Sequence, residues 1–403
     1  MIDENGTGIA LPVKARFDLP DGVVYLDGNS LGPLPVGVAA RVNEVVRAQW
    51  GGQLIRGWNE AGWASQPGRV GDRIARLIGA PAGSVTVGDT LSIKVYQALA
   101  AALRLRPARR VILSDSGNFP TDLYMAQGLI GSLDRGYTLR VVEPGAVTAA
   151  IDDTVAVVML TQVDYRSGRL HDMASITAAT QAAGAVSLWD LAHSAGALPI
   201  DLAGSSCEFA VGCTYKYLNG GPGAPAFVYV RPDIVDRVEP ALAGWFGHEA
   251  PFAFDPDYRP AMSIERLRIG TPPVIQASAL EAALEVWEGV DMAQVRRASI
   301  ALSERFIGEV EARCPMLTLA SPRDPAQRGS QVSFAFEHGY AVVQALIEAG
   351  VIGDFRAPDL MRFGFTPLYL DQHDIVRAVD ALQAILDEER WAEPRFQRRQ
   401  AVT

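Results

Sequence analysis

Two charged residues carry the strongest chemical signal in this sequence. Residues 185–189 form an apolar run that reads as a buried strand, and it ends on a carboxylate, Asp190. A second run, 209–214, delivers Tyr215 and Lys216 into the turn Gly220-Gly221-Pro222-Gly223. The spacing between Asp190 and Lys216 leaves room for a turn and one more strand. Either residue alone would read as a turn cap or an exposed side chain. Together, with the flanking glycines, they suit pyridoxal phosphate. A lysine forms the Schiff base with that cofactor's aldehyde, and a carboxylate keeps its pyridine nitrogen protonated so that the ring is an electron sink.

Alternating strands and helices must position such a pair. Strands are expected at 84–87, 110–113, 139–142, 155–160, 185–189, 209–214 and 226–230, with helices at 36–50, 69–78, 91–105, 174–183 and 277–286. This alternation implies an α/β fold with a mostly parallel sheet covered on both faces. Ligands of such sheets bind beyond the carboxyl ends of the strands. Ser92, Phe119, Thr161, Asp190 and Lys216 all fall at or near such ends. The helix that begins at Leu91 and Ser92, after Gly88-Asp89-Thr90, offers free N–H groups and a positive dipole end to a phosphate.

From about Asp291 the pattern changes to a long helix, a strand at 331–336, a helix at 341–348, strands near Val351 and Arg362, and a last helix from Gln372. Three parts are therefore expected. Residues 1–50 are an N-terminal arm and helix packing with the small domain, 51–290 a large cofactor-binding domain, and 291–403 a small C-terminal α+β domain. Residues 1–20 read as an extended arm, 53–63 as a Gly-containing loop that carries Trp58, and 390–403 as a loosely held charged tail.

Composition narrows the function classes. The 403 residues are 49% hydrophobic and 20% charged, as in an ordinary globular enzyme. A net charge of −10 argues against nucleic acid or an anionic membrane as partner. No apolar run approaches the roughly 20 residues of a membrane span. The three cysteines, Cys207, Cys213 and Cys314, show no paired spacing and fit free thiols in a reducing cytoplasm. Met1-Ile-Asp-Glu-Asn shows no basic region followed by an apolar one, so a cytoplasmic location is expected. The five histidines show no metal-ligand spacing, and no metal is expected.

The chain resembles the kynureninase family, pyridoxal phosphate enzymes of the fold type I (aspartate aminotransferase) class, whose large domain has a mostly parallel, seven-stranded sheet. The matching pieces are Tyr25-Leu-Asp-Gly-Asn-Ser-Leu-Gly, Phe119-Pro-Thr-Asp122, Asp190-Leu-Ala-His193, Tyr215-Lys216-Tyr-Leu-Asn, Gly244-Trp-Phe-Gly-His248, Arg268-Ile-Gly-Thr-Pro-Pro273, and Arg362 followed by Pro367-Leu-Tyr369. They span nearly the whole chain.

The resemblance implies a role for each residue. Lys216 would be the Schiff-base lysine and the proton carrier at Cα. Asp190 would pair with the pyridine nitrogen, Asp122 and His193 would help hold the cofactor, Phe119 would stack on its ring, and Thr161 would lie beside it. Leu91, Ser92 and Tyr215 would bind its phosphate, and Tyr215 is also the candidate general acid–base for hydrating the substrate ketone. Trp245 and Thr271 would reach the cofactor from a partner subunit, which implies a homodimer with the active site at the subunit interface. Arg362 would grip the substrate carboxylate, a two-pronged task suited to guanidinium. Asn29, Ser30, Trp58 and Gly270 complete the expected substrate site.

The implied reaction is hydrolysis of L-kynurenine to anthranilate and L-alanine in tryptophan catabolism. There are departures from the family pattern. Ser92 stands where threonine is common, Lys94 where asparagine is common, and Gly270 and Thr271 where some members have serine and asparagine. Members that favour 3-hydroxykynurenine carry a histidine where Trp58 aligns, so plain kynurenine is the expected substrate. The alternatives on this fold are a cysteine desulfurase or an aminotransferase; a non-enzymatic regulator that binds the cofactor is a third.

Overall fold

Apolar, β-branched runs separated by helices lay down two sheets and a short link between them. The protein is described by a computed structural model that covers residues 11–399. In the N-terminal arm, β1 (Val24–Tyr25) is a two-residue strand. Next come β2 (Val85–Val87), β3 (Val111–Asp115), β4 (Thr138–Val142), β5 (Val155–Thr161), β6 (Val186–Asp190), β7 (Phe209–Gly212) and β8 (Phe227–Val230). They form one seven-stranded sheet in the order β2-β8-β7-β6-β5-β3-β4. The pairings from β4 through β7 are parallel, and β8 runs antiparallel to both of its neighbours. The expected α/β architecture with a mostly parallel sheet is therefore present.

Burial explains the strand sequences. β5, Val-Ala-Val-Val-Met-Leu-Thr, is buried along its whole length, as a parallel strand covered on both faces must be. The helix Leu91–Arg104 crosses β5, β6 and β7 and buries Ala98 to Leu103 against them. The register pairs Thr161 with Asp190, and Asp190 with Val211. The carboxyl ends of β5, β6 and β7 thus lie side by side.

The C-terminal strands are β9 (Thr318–Leu319), β10 (Gln331–Ala335), β11 (Val351–Ile352), β12 (Asp354–Arg356) and β13 (Leu360–Gly364). Four of them make an antiparallel sheet in the order β12-β13-β10-β9, while β11 pairs in parallel with β1. The long helix Met292–Arg313 is capped by Asp291, which accepts from the Ala293 and Gln294 N–H groups. The last helix, Gln372–Asp387, starts in a capping box between Asp371 and Asp374. Lys14 of the arm ties both of those carboxylates, at 2.7 and 2.6 Å. One apolar cluster runs from Phe17 to Phe396 and includes Trp189 and Leu218 beside the large sheet and Phe306, Phe334 and Phe363 of the small one.

Three local expectations are corrected. Residues 53–63 are mostly helical rather than a loop. The helix Val38–Glu44 continues as a π-helix through Val45–Gln53, then a 3-10 turn, Leu54–Arg56, and one α turn, Gly57–Glu60. Gly51 and Gly52 lie in the wide π segment, and Gly57 is required by close approach, since a Cβ there would meet the Trp63 ring at 2.5 Å. The arm is not simply extended either. Residues 1–10 lie outside the described residues, and Lys14–Arg16 is a 3-10 turn whose next residue, Phe17, bridges to Pro35. The tail is packed as far as Phe396. Trp391 stacks on His338 at 4.1 Å and Phe396 is buried, while 400–403 lie outside the described residues.

The helix Gln66–Leu77 packs directly on β2. A Cβ at Gly71 would stand 2.1 Å from the Val85 carbonyl oxygen. Gly71→Ala should therefore lower stability by about 1–3 kcal/mol, even though alanine favours a helix. Denaturant titration of the two proteins reads this directly, and an unchanged or higher midpoint would contradict the close contact.

Candidate active site

Two strands and a helix start place the central groups. Asp190 is the last residue of β6, and its Oδ1 accepts from the Ala192 N–H at 2.8 Å. Asp122 sits in the first turn of the helix Pro120–Leu133, just after the N-cap, Phe119. Pro120 at the first helical position sets that entry. Both carboxyls are buried, and Asp122 Oδ2 has no hydrogen-bond partner. Burial, with the Asp190 charge beside it, raises the Asp122 carboxyl well above the usual range. Burial also pushes Asp190 up to about 6, against the pull of Lys216 and the Ala192 N–H. Two like charges this close do not both ionise freely, so Asp122 holds a proton while Asp190 is the anion.

Lys216 follows β7 and faces this pair. Its Nζ lies 2.8 Å from His193 Nε2, 5.9 Å from the Phe119 ring centre and 5.8 Å from the Tyr215 ring centre. Burial, then the positive charges of Lys216 and Arg362, hold the His193 imidazole well below its usual pKa, so it stays neutral. The sequence holds three lysines: Lys14, Lys94 and Lys216. Lys14 is bound to Asp371 and Asp374, and Lys94 is buried on Asp89, Gln97 and the Leu267 carbonyl. Lys216 instead contacts a neutral histidine and two aromatic rings.

The Phe119 platform is built by Asn118. Asn118 Oδ1 accepts from the Phe119 N–H at 2.7 Å and from Thr161 Oγ1 at 2.5 Å, and its amide donates to Ser114 Oγ at 3.0 Å. Phe119 remains 39% exposed, with Tyr165 edge-on at 5.1 Å, so one face is open to a stacking ring.

The second centre comes from the small sheet. Arg362, on β13, is buried and clamps Asp354 with Nε at 2.6 Å and with Nη2. Its Nη1 donates to the Tyr165 carbonyl, and Nη2 also reaches Ser30 Oγ at 3.1 Å. Ser30 Oγ donates to Asp354 Oδ2 at 2.6 Å. Burial opposes ionisation of Asp354, but the Arg362 hydrogen bonds win and hold it below the usual range. Neighbouring Asp27 is pushed up to about 7, first by burial and then by the Asp354 charge. Arg362 thus has one Nη1 hydrogen free, and Ser30 stands where a further acceptor would enter. Asn29 is fully buried beside Gly364, and neither amide atom has a partner.

The structure brings Phe119, Asp122, Thr161, Asp190, His193, Tyr215 and Lys216 together, and Tyr165 joins them to Arg362 and Ser30. Leu91 and Ser92 open a helix whose N-cap, Thr90, makes no side-chain cap, leaving the terminal N–H groups available. Within one chain, no hydrogen bond or ring contact links Trp58, Trp245, Gly270 or Thr271 to Lys216. Trp58 stacks on Phe246, which touches Trp245, and Gly270 and Thr271 line a small cavity with Asp89 and Lys94. Buried Lys94 thereby ties the loop before Gly270 to the first turn of the helix Leu91–Arg104. Asn118, Tyr165, Gln331 and Asp354 also belong to the site and were not expected. A polar residue opening the apolar run 331–336 is the one signal that could have flagged Gln331.

This donor set fits pyridoxal phosphate. Among the described residues, the lysine amine is the cation that acts on the buried Asp190 carboxylate, and a protonated ring nitrogen would complement it. An open aromatic face and an uncapped helix start lie on the same side of the sheet.

Residues 295–382 match the family model described as the kynureninase C-terminal domain. Over 399 residues the chain is 53% identical to a kynureninase of Burkholderia pseudomallei (strain 1106a), which covers 97% of this chain and 96% of the relative. This chain belongs to the kynureninase family. Its fold is also that of more distant enzymes. A cysteine desulfurase from Thermococcus onnurineus NA1, in its apo form, superposes with a TM-score of 0.80 at 19% identity, over 95% of this chain and all of that one. A mutant of the C-DES protein, solved with glycine covalently linked to the PLP cofactor, gives 0.80 at 17% identity over 92% of this chain and 99% of that one. These two share the fold type I architecture with the kynureninase family member described here.

Asp190→Asn should cut turnover by about a hundredfold or more while changing unfolding free energy by less than about 2 kcal/mol. Paired kinetic and denaturation measurements separate the two effects. Full turnover with a lowered melting temperature would make Asp190 a structural cap instead.

Proposed function

We propose that the chain is a kynureninase that hydrolyses L-kynurenine to anthranilate and L-alanine, a step of tryptophan catabolism, with pyridoxal phosphate bound at Lys216. One observation carries this reading: a half-buried lysine, held by a neutral histidine rather than by a carboxylate, faces Asp190 at a strand end and Asp122 at a helix start, and is linked, through Tyr165, to an arginine placed for an amino-acid carboxylate. When bound, the cofactor withdraws electrons from the substrate Cα.

The chain's own residues would do the rest. Arg362 and Ser30 bind the substrate carboxylate and fix Cα above Lys216. Lys216 removes and returns the Cα proton, and the neutral His193 holds its amine. Asp190 keeps the ring nitrogen protonated, and Asp122, itself protonated, keeps Asp190 in place. Phe119 stacks on the ring and shields it from water, with Thr161 at its edge. Leu91 and Ser92 bind the phosphate with Tyr215. Tyr215 is also the candidate acid–base for adding water to the side-chain ketone, whose collapse expels anthranilate. Burial raises the Tyr215 hydroxyl above its usual range, so it is a proton donor at neutral pH.

A second copy of the chain would supply Trp58, Trp245, Gly270 and Thr271. In support, these four make no contact with Lys216 in their own chain. Trp245, Phe252 and Phe254 also leave 41%, 59% and 75% of their surface exposed in one aromatic group. A homodimer with shared active sites is the reading this favours. The same reading keeps three parts: an arm and helix over 1–50, a large domain over 51–290 and a small one over 291–403. Three buried free thiols suit a cytoplasmic location. Among the described residues, no helix is long and apolar enough to cross a membrane.

The desulfurase alternative needs a reachable nucleophilic thiol. All three cysteines are buried, and burial pushes Cys314, the residue that caps the long helix, up to about 11. Product analysis decides between the readings. Incubation with kynurenine should release anthranilate and alanine, whereas sulfide from cysteine or amino transfer to a keto acid would overturn the assignment.

Two further outcomes follow. Arg362→Lys should raise the Michaelis constant for kynurenine about tenfold or more, because a point charge cannot serve both Asp354 and a substrate carboxylate; an unchanged constant would remove Arg362 from the substrate site. Trp58 and Gly270 offer a ring hydroxyl little hydrogen bonding, and a buried hydroxyl without a partner costs roughly 1–3 kcal/mol. Kynurenine should therefore be preferred over 3-hydroxykynurenine by about ten- to a hundredfold in kcat/KM. Competing both substrates against one preparation tests this, and equal constants would contradict it.

A further inference from the structure

Gln331 opens β10 of the small sheet, yet its side chain ends beside the catalytic lysine's partner. It is fully buried. Its Nε2 donates to the Tyr165 carbonyl at 3.0 Å and to the Asp164 carbonyl at 3.3 Å. Its Oε1 lies 3.1 Å from His193 Nδ1. Carbonyl oxygens only accept, so two of them fix which end of the amide is nitrogen; turning the amide over would set three oxygens against one another. The oxygen end must then face His193. That oxygen also only accepts, so Nδ1 must carry the imidazole proton. Burial and the nearby positive charges keep the ring from taking a second one. Nε2 is left as a bare lone pair, 2.8 Å from Lys216 Nζ.

We propose that Gln331 is a positioning residue for the reaction: it holds His193 in the Nδ1–H tautomer, so that an accepting nitrogen always faces the Lys216 amine. The alternative tautomer would present an N–H to the lysine and could not accept its proton. The same Tyr165 carbonyl that receives Gln331 also receives Arg362 Nη1. A single hydrogen-bonded chain thus runs from the arginine, through Tyr165, Gln331 and His193, to the lysine. It crosses from the small sheet to the large one. An arginine pulled toward a substrate carboxylate and a lysine set to move a proton are held in one register by this chain. The catalytic consequence rests on the reading of Lys216 given above; the tautomer itself does not.

The test is a multiple-bond 1H–15N correlation spectrum of the full-length protein labelled in its five histidines. The His193 signals are assigned by their loss in His193→Gln. Wild type should show the Nδ1–H pattern for His193. Gln331→Met, which keeps the bulk and removes both hydrogen-bonding ends, should lose that single pattern for a mixture of tautomers. Its kcat on kynurenine should fall about ten- to a hundredfold with KM within about twofold. Gln331→Glu, fully buried and therefore protonated, can donate its O–H to the Tyr165 carbonyl and keep an accepting oxygen toward Nδ1, so it should retain the Nδ1–H pattern and recover part of kcat. An Nε2–H pattern in wild type overturns the proposal. So does an unchanged Nδ1–H pattern in Gln331→Met, or full kcat in a variant whose tautomer has changed. If Gln331→Met does not fold, the wild-type and Gln331→Glu spectra still decide. If the tautomers behave as stated but the protein releases no anthranilate from kynurenine, it is the functional reading that fails, and the two failures are distinct.

Discussion

Everything in this site depends on burying two carboxyls side by side at the end of a parallel strand. Asp190 and Asp122 are removed from water by the sheet and by the helix that Pro120 starts. That burial is unfavourable unless a proton and a cation compensate it. The proton resides on Asp122. The cation within the chain is Lys216, and a protonated pyridine ring is the ligand whose charge matches what remains. The large sheet supplies the apolar surroundings: β5, β6 and β7 are buried along their lengths, and Thr161 and Asp190 emerge at the carboxyl ends of β5 and β6.

The small sheet supplies the other half of the chemistry. Arg362 and Gln331 lie on neighbouring strands, β13 and β10, and both reach the Tyr165 carbonyl. Asp354, on the next strand, fixes Arg362 in a two-pronged pair that also engages Ser30 of the arm. The arm is itself held to the small domain by β1 against β11 and by Lys14 on the last helix. The Arg362 cluster is therefore assembled from the arm, from β12 and β13, and from the loop after β5. No one of these could shift without disturbing the others.

Much of this was legible in the sequence because periodicity and strand ends leave a local trace. The apolar runs predicted the strands to within a few residues, and Asp190 and Lys216 stood out as charges at their ends. Local rules failed where glycines allowed an unusual helix, at Gly51, Gly52 and Gly57, and where a charged tail still buried Phe396. They also failed for Gln331 and Tyr165, whose partners are far away in sequence, and for Asp354, which meets Arg362 only once β12 and β13 pair: a hydrogen bond from Gln331 to His193 leaves no period to read. The roles expected of Trp58, Trp245, Gly270 and Thr271 came from resemblance, since no hydrogen bond or ring contact within the chain joins them to Lys216.

The account's central claim is that Lys216 is the one amine in this chain built to carry the cofactor, and the small number of lysines makes it directly measurable. The purified protein should be incubated with pyridoxal phosphate, reduced with borohydride, digested, and the peptides weighed. The account predicts one phosphopyridoxyl group per chain, on the peptide that contains Lys216, with Lys14 and Lys94 unmodified. A label on Lys14 or Lys94, or no label on Lys216, would contradict it.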